Sequence, residues 1–129
     1  MVSENHGKVW WNELMTRDVE GAKEYYGATC GWTFETMPVP GGEGDYTVAK
    51  LGDEMVAGMM DMSGMELAGV PAHWFTYFAV DDVDAAAGAA EAAGAKVHRQ
   101  PFDVGTVGRI AIIEDPTGAM MGLMTPSED

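Results

Sequence analysis

A chain of 129 residues with 47% hydrophobic content suits one compact domain, long enough to bury roughly two thirds of the surface its unfolded form would expose. The formal net charge of −14, from 21 acidic against 7 basic residues, repels phosphate backbones and argues against nucleic acid as a partner. The single Cys30 cannot form an intramolecular bridge, and no stretch resembles a signal peptide or a membrane span, so the expectation is a cytoplasmic protein with no membrane partner.

The first element is a strand over 8 to 16. Within "VWWNELM" (residues 9 to 15) the two-residue period places Val9, Trp11, Glu13 and Met15 on one face and Trp10, Asn12 and Leu14 on the other. Glu13 therefore sits among large apolar neighbours, where a carboxylate must be paired, protonated or turned to a wet cavity. Asp18 can cap a following helix, in which Val19, Ala22, Tyr26 and Cys30 recur near helical spacing and Cys30 reads as buried. Strands follow near 32 to 37, 45 to 51 and 55 to 61, with the glycine-rich hairpin "PVPGGEGDY" (38 to 46) between the first two.

"DMSGMELAGVPA", residues 61 to 72, reads as a linker. A second set then repeats the first: a strand over 73 to 80, Asp82 as a cap, a helix carrying Val83, Ala86, Ala90 and Ala93 that stops at Gly94, and strands near 95 to 100, 108 to 114 and 119 to 125. Shifting the sequence by 64 positions lays Trp10 on Trp74, Asp18 on Asp82, Val19 on Val83, Gly58 on Gly122 and Met60 on Met124. The chain thus reads as β-α-β-β-β twice, with module 1 at about 8 to 62, a linker at about 63 to 72 and module 2 at about 73 to 126 of a single domain spanning 1 to 129.

The repeat, together with "TRDVEGAKEYYGATCGW", "VDDVDAAAGAAEAAGAKV" and "GRIAIIEDPTGAMMGLM", resembles the vicinal oxygen chelate superfamily of glyoxalase I, extradiol dioxygenases and bleomycin resistance proteins. That resemblance implies an α+β fold of two tandem βαβββ modules, whose mixed sheet curls into a half-barrel cup with helices on its convex side. It also implies a homodimer, and in metal-dependent members a ligand set of His, Glu or Gln from the opening and last strand of each module. Carried over by distance from the capping Asp and the "DPTGA" turn, those four positions are Trp11, Phe75, Gly58 and Gly122, and none has a side chain that binds a divalent ion. The resemblance therefore implies no metal, no cofactor and the metal-free branch typified by bleomycin-binding proteins.

If Trp11 and Phe75 face the cup, the two-residue period brings Val9, Glu13, Met15, His73, Tyr77 and Ala79 inward, and sends Trp10, Leu14, Trp74, Phe78 and Val80 to the core. Val56, Met60, Met120 and Met124 also face inward, and Gly58 and Gly122 leave room at the centre. The expected ligand set is Trp11, Glu13, Met60, Phe75, Tyr77, Met120 and Met124, suited to a small, flat, apolar or cationic molecule with Glu13 as anchor. The alternative is an enzyme, cofactor-free or metal-dependent, using Glu13 with His73 or Tyr77 as acid and base. Glu13 at a solvated edge or paired with a base, and His73 bonded to backbone, are the plainer readings. His6 belongs to a mobile N-terminus, His98 lies outside the ligand-bearing strands, and Arg109 serves a structural pairing, with Glu114, with Asp115 or across the dimer, or else guards the pocket mouth.

Overall fold

The computed structural model describes residues 4–38, 45–63, 69–104 and 107–127. The elements run β1 (Val9–Thr16), α1 (Val19–Cys30), β2 (Thr33–Pro38), β3 (Asp45–Leu51), β4 (Glu54–Asp61), β5 (His73–Ala79), α2 (Val83–Ala92), β6 (Lys96–Val104), β7 (Gly108–Glu114) and β8 (Met120–Pro126). This is the α+β order expected from the repeat, βαβββ twice, with strand limits within a few residues of those read from the pattern. Residues 39–44 of the glycine-rich hairpin and 64–68 of the linker lie outside the described residues.

Local signals work as their chemistry demands. The Asp18 carboxylate accepts from the Gly21 N–H at 2.9 Å to start α1, and Asp82 accepts from Asp84 and Ala85 to start α2. Gly31 ends α1 in the left-handed conformation at φ 72. At the end of α2, Gly94 takes φ +100 while its N–H bonds Glu91 O and the Ala95 N–H bonds Ala90 O. Between β7 and β8 the Asp115 carboxylate gathers the Thr117 hydroxyl at 2.7 Å, the Thr117 N–H at 2.8 Å and the Ala119 N–H at 3.0 Å, with Gly118 at φ +97 closing the turn.

The chain divides into two compact units, Trp11–Phe75 and Met1–Trp10 with Thr76–Asp129. In the first, the strand order is β2-β3-β4-β1, with β1 and β4 parallel and the other pairs antiparallel. In the second the order is β5-β8-β7-β6, with β5 and β8 parallel. The registers repeat as closely as the sequence does. Glu35, Val48, Gly58 and Glu13 form one row across four strands, and the residues 64 positions later, Arg99, Ile112, Gly122 and Tyr77, form the matching row. Paired residues share a sheet face, so each row lies on one face of its unit.

In the second unit α2 covers the opposite face. Val83 joins Val80, Ala111 and Ile113 in a buried cluster flanked by Ala86, Ala90, Val97, Met121 and Leu123. In the first unit Leu14, Ala49, Ala57 and Met59 are buried, and Gly27 of α1 lies against Phe34 of β2. Tyr26 of α1 stacks on Trp32 at 5.3 Å and accepts a hydrogen bond from Trp74 Nε1 at 3.0 Å, so Trp74 lies on the helix side, but it is 38% exposed and not the core residue expected, because its indole rests on a helix that buries no side chain. Cys30 is exposed rather than buried, because the apolar stripe of α1 fades in its last turn.

Trp10 is also a correction: it is 41% exposed rather than core. Its ring borders a cleft of about 360 Å³ whose walls include His6, Ala79, Asp81, Thr125 and Pro126. The N-terminal segment is anchored there, since Gly7 N bonds Ala79 O at 2.7 Å, Ala79 N bonds Lys8 O at 2.9 Å and the Asp81 N–H donates to His6 Nδ1 at 2.9 Å. His6 is therefore held by β5 and the residues after it, not loose. Val9, expected inward, is 58% exposed at the open start of β1.

Candidate functional site

The residues named from sequence divide between the units. Trp11, Glu13, Met60, His73 and Phe75 belong to the first, and Tyr77, Met120 and Met124 to the second. Glu13 is 7% exposed, beside Gly58 in the parallel register and, across β3, in the same row as Glu35. The carboxylate is therefore buried within the sheet, not at a solvated edge. Phe75, Tyr77 and Met124 are buried too, Met60 is half-buried, and Met120 is 44% exposed at the start of β8.

Gly58 does not leave an empty centre in the first unit. A Cβ built on it would overlap the Tyr46 hydroxyl and come within 3.1 Å of Trp11 Nε1. Those two groups are bonded to each other, with the indole N–H donating to the Tyr46 hydroxyl at 2.9 Å. Tyr46 escaped the sequence reading because it lies next to the hairpin loop, 35 residues from Trp11. Only the pairing of β3 with β4, which sets Val48 opposite Gly58 and so Tyr46 two residues along on the same face, brings it in. The signal available was a tyrosine at alternating position with Val48.

The metal-ligand positions implied by the resemblance can be tested on this geometry. Trp11 and Gly58 do converge, as two ligand positions must. What converges, however, is an indole N–H, which only donates, and a residue without a side chain, and the space between them is taken by a phenol. These residues do not fit a divalent ion. Among the described residues no group of three or more His, Cys, Asp or Glu side chains is placed to hold a metal.

His73 Nδ1 lies 2.9 Å from Pro71 O, so the plainer backbone-bonded reading holds; since a carbonyl only accepts, Nδ1–H donates to it, and Nε2 is the acceptor nitrogen of the neutral tautomer. His98 Nε2 contacts Glu114 Oε1 at 2.8 Å on the β6–β7 ribbon. Arg109 does serve a structural pairing, but with other partners. Its guanidinium grips Asp84, in the first turn of α2, at 2.8 and 3.1 Å, and reaches Asp103 at 3.3 Å. The two aspartates keep Arg109 firmly protonated, and Arg109 in return holds the Asp84 carboxyl below its ordinary range.

The sequence profile of the "Glyoxalase/Bleomycin resistance protein/Dioxygenase superfamily" matches residues 9–123. The chain belongs to this superfamily. Among curated members, the "Putative glyoxylase CFP32" of Mycobacterium tuberculosis is 43% identical over 121 residues, covering 94% of this chain and 45% of the relative. The "Anthracycline biosynthesis protein DnrV" of Streptomyces peucetius is 34% identical over 84% of this chain and 43% of its own. This superfamily member thus spans less than half the length of the curated relatives it matches. Among solved structures, a methylmalonyl-CoA epimerase of Streptomyces coelicolor superposes with TM-score 0.68 at 20% identity, covering 96% of this chain and 99% of that one. The methylmalonyl-CoA epimerase of Mycobacterium tuberculosis gives 0.65 at 15% identity over 98% and 93%. At such identities the two structures establish the shared fold of the superfamily. No helix among the described residues is long and apolar enough to cross a membrane.

Proposed function

We propose that this superfamily member binds a small flat molecule without a divalent metal, using the Trp11–Tyr46 pair as an aromatic wall and the buried Glu13 as its polar anchor. The observation that carries the reading is the indole-to-phenol hydrogen bond over Gly58, at the place where the metal-dependent pattern puts two ligands. Aromatic rings with one acidic anchor suit a planar ligand, apolar or cationic, through stacking and ring-face contact with a cation. The name of one relative, an anthracycline biosynthesis protein, and the bleomycin resistance proteins in the superfamily's description support a small-molecule ligand.

An enzymatic reading is favoured by a different observation, the burial of Glu13, since a sheltered carboxylate suits general-base work. The relatives named as putative glyoxylases support it. In that reading Glu13 abstracts a proton and His73, of the same unit, supplies one. His73 would have to be protonated to do so, because its neutral form presents only an acceptor at Nε2.

The test has two parts. Protein purified without a histidine tag is assayed for metal by mass spectrometry before and after exposure to Zn, Ni, Mn and Fe, and the expected result is far below one metal per chain. Stoichiometric metal would overturn the reading. A thermal-shift screen with fused-ring compounds then compares the wild type with Trp11→Phe and Glu13→Gln. A binder loses affinity in both variants, whereas an enzyme retains ligand in Glu13→Gln and loses turnover by roughly a hundredfold or more.

A further inference from the structure

The second unit carries an arginine set on an aromatic ring and not on a carboxylate. Of the 7 basic residues, set against 21 acidic ones, three hold carboxylates: Lys23 pairs with Glu20, Lys50 with Glu35, and Arg109 with Asp84 and Asp103. Among the described residues no carboxylate pairs with Arg99. Its guanidinium carbon instead lies 3.5 Å from the centre of the Phe102 ring.

The cause lies in two irregularities of β6. Val97 pairs with Ile113 and packs against α2, and a regular strand would turn Arg99 to the same side. The register shifts between Val97 and Arg99, so that His98 is the extra residue and Arg99 pairs with Ile112, whose side chain points away from α2. A second shift between Arg99 and Phe102 pairs Phe102 with Ile110 and keeps ring and guanidinium on that same face.

The repeat shows what is missing. The residue 64 positions before Arg99 is Glu35, which is neutralised by Lys50 at 3.0 Å. The mate of Lys50 is Glu114, so the charges are reversed in the second unit and Arg99 has a carboxylate available in principle. The inserted His98 takes that carboxylate at 2.8 Å, and Arg99 lies on Phe102 instead.

We propose that Arg99, seated over the Phe102 ring, is an anion-binding fork that receives the carboxylate of a small apolar acid whose body lies along Phe102 and Ile112. A guanidinium stacked on a ring keeps its N–H edge free, and that edge matches a carboxylate with two parallel hydrogen bonds. A protein of net charge −14 repels anions at long range, so an acid needs strong local attraction, which a guanidinium with its N–H edge free supplies. The proposal goes beyond the reading of the first unit and stands on residues of the second alone.

The probes are 2-naphthoate and its neutral counterpart 2-naphthalenemethanol, titrated into labelled protein and followed by NMR. Naphthoate should shift the Arg99 side-chain N–H together with Phe102 and Ile112, and the alcohol should bind distinctly more weakly. Arg99→Gln should weaken naphthoate roughly tenfold and leave the alcohol unchanged, with Arg99→Lys in between because it keeps the charge and loses the fork. Arg99 is exposed, so these variants should keep the wild-type amide spectrum, which the same experiment records. Equal naphthoate affinity in Arg99→Gln, shifts centred elsewhere, or no naphthoate binding at all would each overturn the proposal. Fused-ring binding that depends on Trp11 and not on Arg99 would leave the first-unit reading standing while this one falls.

Discussion

Replacing Gly58 by alanine should be among the most damaging single-methyl additions in this protein. Gly58 sits in β4, paired with Val48 on one side and Glu13 on the other, so its backbone cannot retreat. The new methyl overlaps the Tyr46 hydroxyl and crowds Trp11 Nε1, so Tyr46 must rotate out. That breaks the 2.9 Å bond to Trp11, a loss of about 1 kcal/mol, and repacking the displaced ring adds roughly 1–3 kcal/mol. The lower entropy of an unfolded alanine returns roughly 0.5–1 kcal/mol. The net is about 2 kcal/mol, or roughly 8 °C in Tm for a chain of this size. Urea and thermal denaturation of Gly58→Ala, Tyr46→Ala and the double variant make the assay. With Tyr46 truncated the space is open, so Gly58→Ala should cost under about 0.5 kcal/mol there, giving a coupling of about 2 kcal/mol. Equal cost in both backgrounds would refute the account of how Gly58, Tyr46 and Trp11 fit together.

Two further outcomes follow from the turns and caps. Asp82→Ala removes the acceptor for the Asp84 and Ala85 N–H groups and should destabilise the protein by about 1 kcal/mol in urea denaturation, while Asp82→Asn recovers most of it. Asp115 is held below its ordinary value of 3.8 by the Thr117 hydroxyl first and then by the Ala119 and Thr117 N–H groups. A carboxyl depressed on folding stabilises fully above its unfolded pKa and loses that contribution as pH falls through the folded value. The urea midpoint should therefore drop on acidification below about pH 4, and Asp115→Ala should flatten that limb. An unchanged acid limb in the variant would count against the turn geometry.

The sequence alone determined much of the scaffold because its signals are local. Asp18 and Asp82 open helices, Gly31 and Gly94 close them, and Asp115 and Gly118 build a turn, each through hydrogen bonds or backbone freedom reaching no more than a few residues. The 64-residue shift carried further still, since it predicts which residue of β5 to β8 matches each residue of β1 to β4, and the rows through Gly58 and Gly122 obey it. Superfamily membership followed from the same signals and was confirmed by the profile match to residues 9–123.

What the tertiary structure alone decided concerns residues whose neighbours come from distant strands. Periodicity puts Trp11 and Gly58 on compatible faces, but it takes the β3–β4 register to bring the Tyr46 hydroxyl between them and close the space that glycine seemed to leave. Two-residue alternation sends Arg99 to the helix side, and the extra residues in β6 reverse it. Trp10 alternates into the core on paper, yet it is 41% exposed beside the anchored N-terminal segment. Side-chain period is a property of a single strand, whereas bulges, cross-strand register and the packing of a terminus are settled by the sum of contacts between strands. That is why the scaffold could be read from the chain and the occupants of its faces could not.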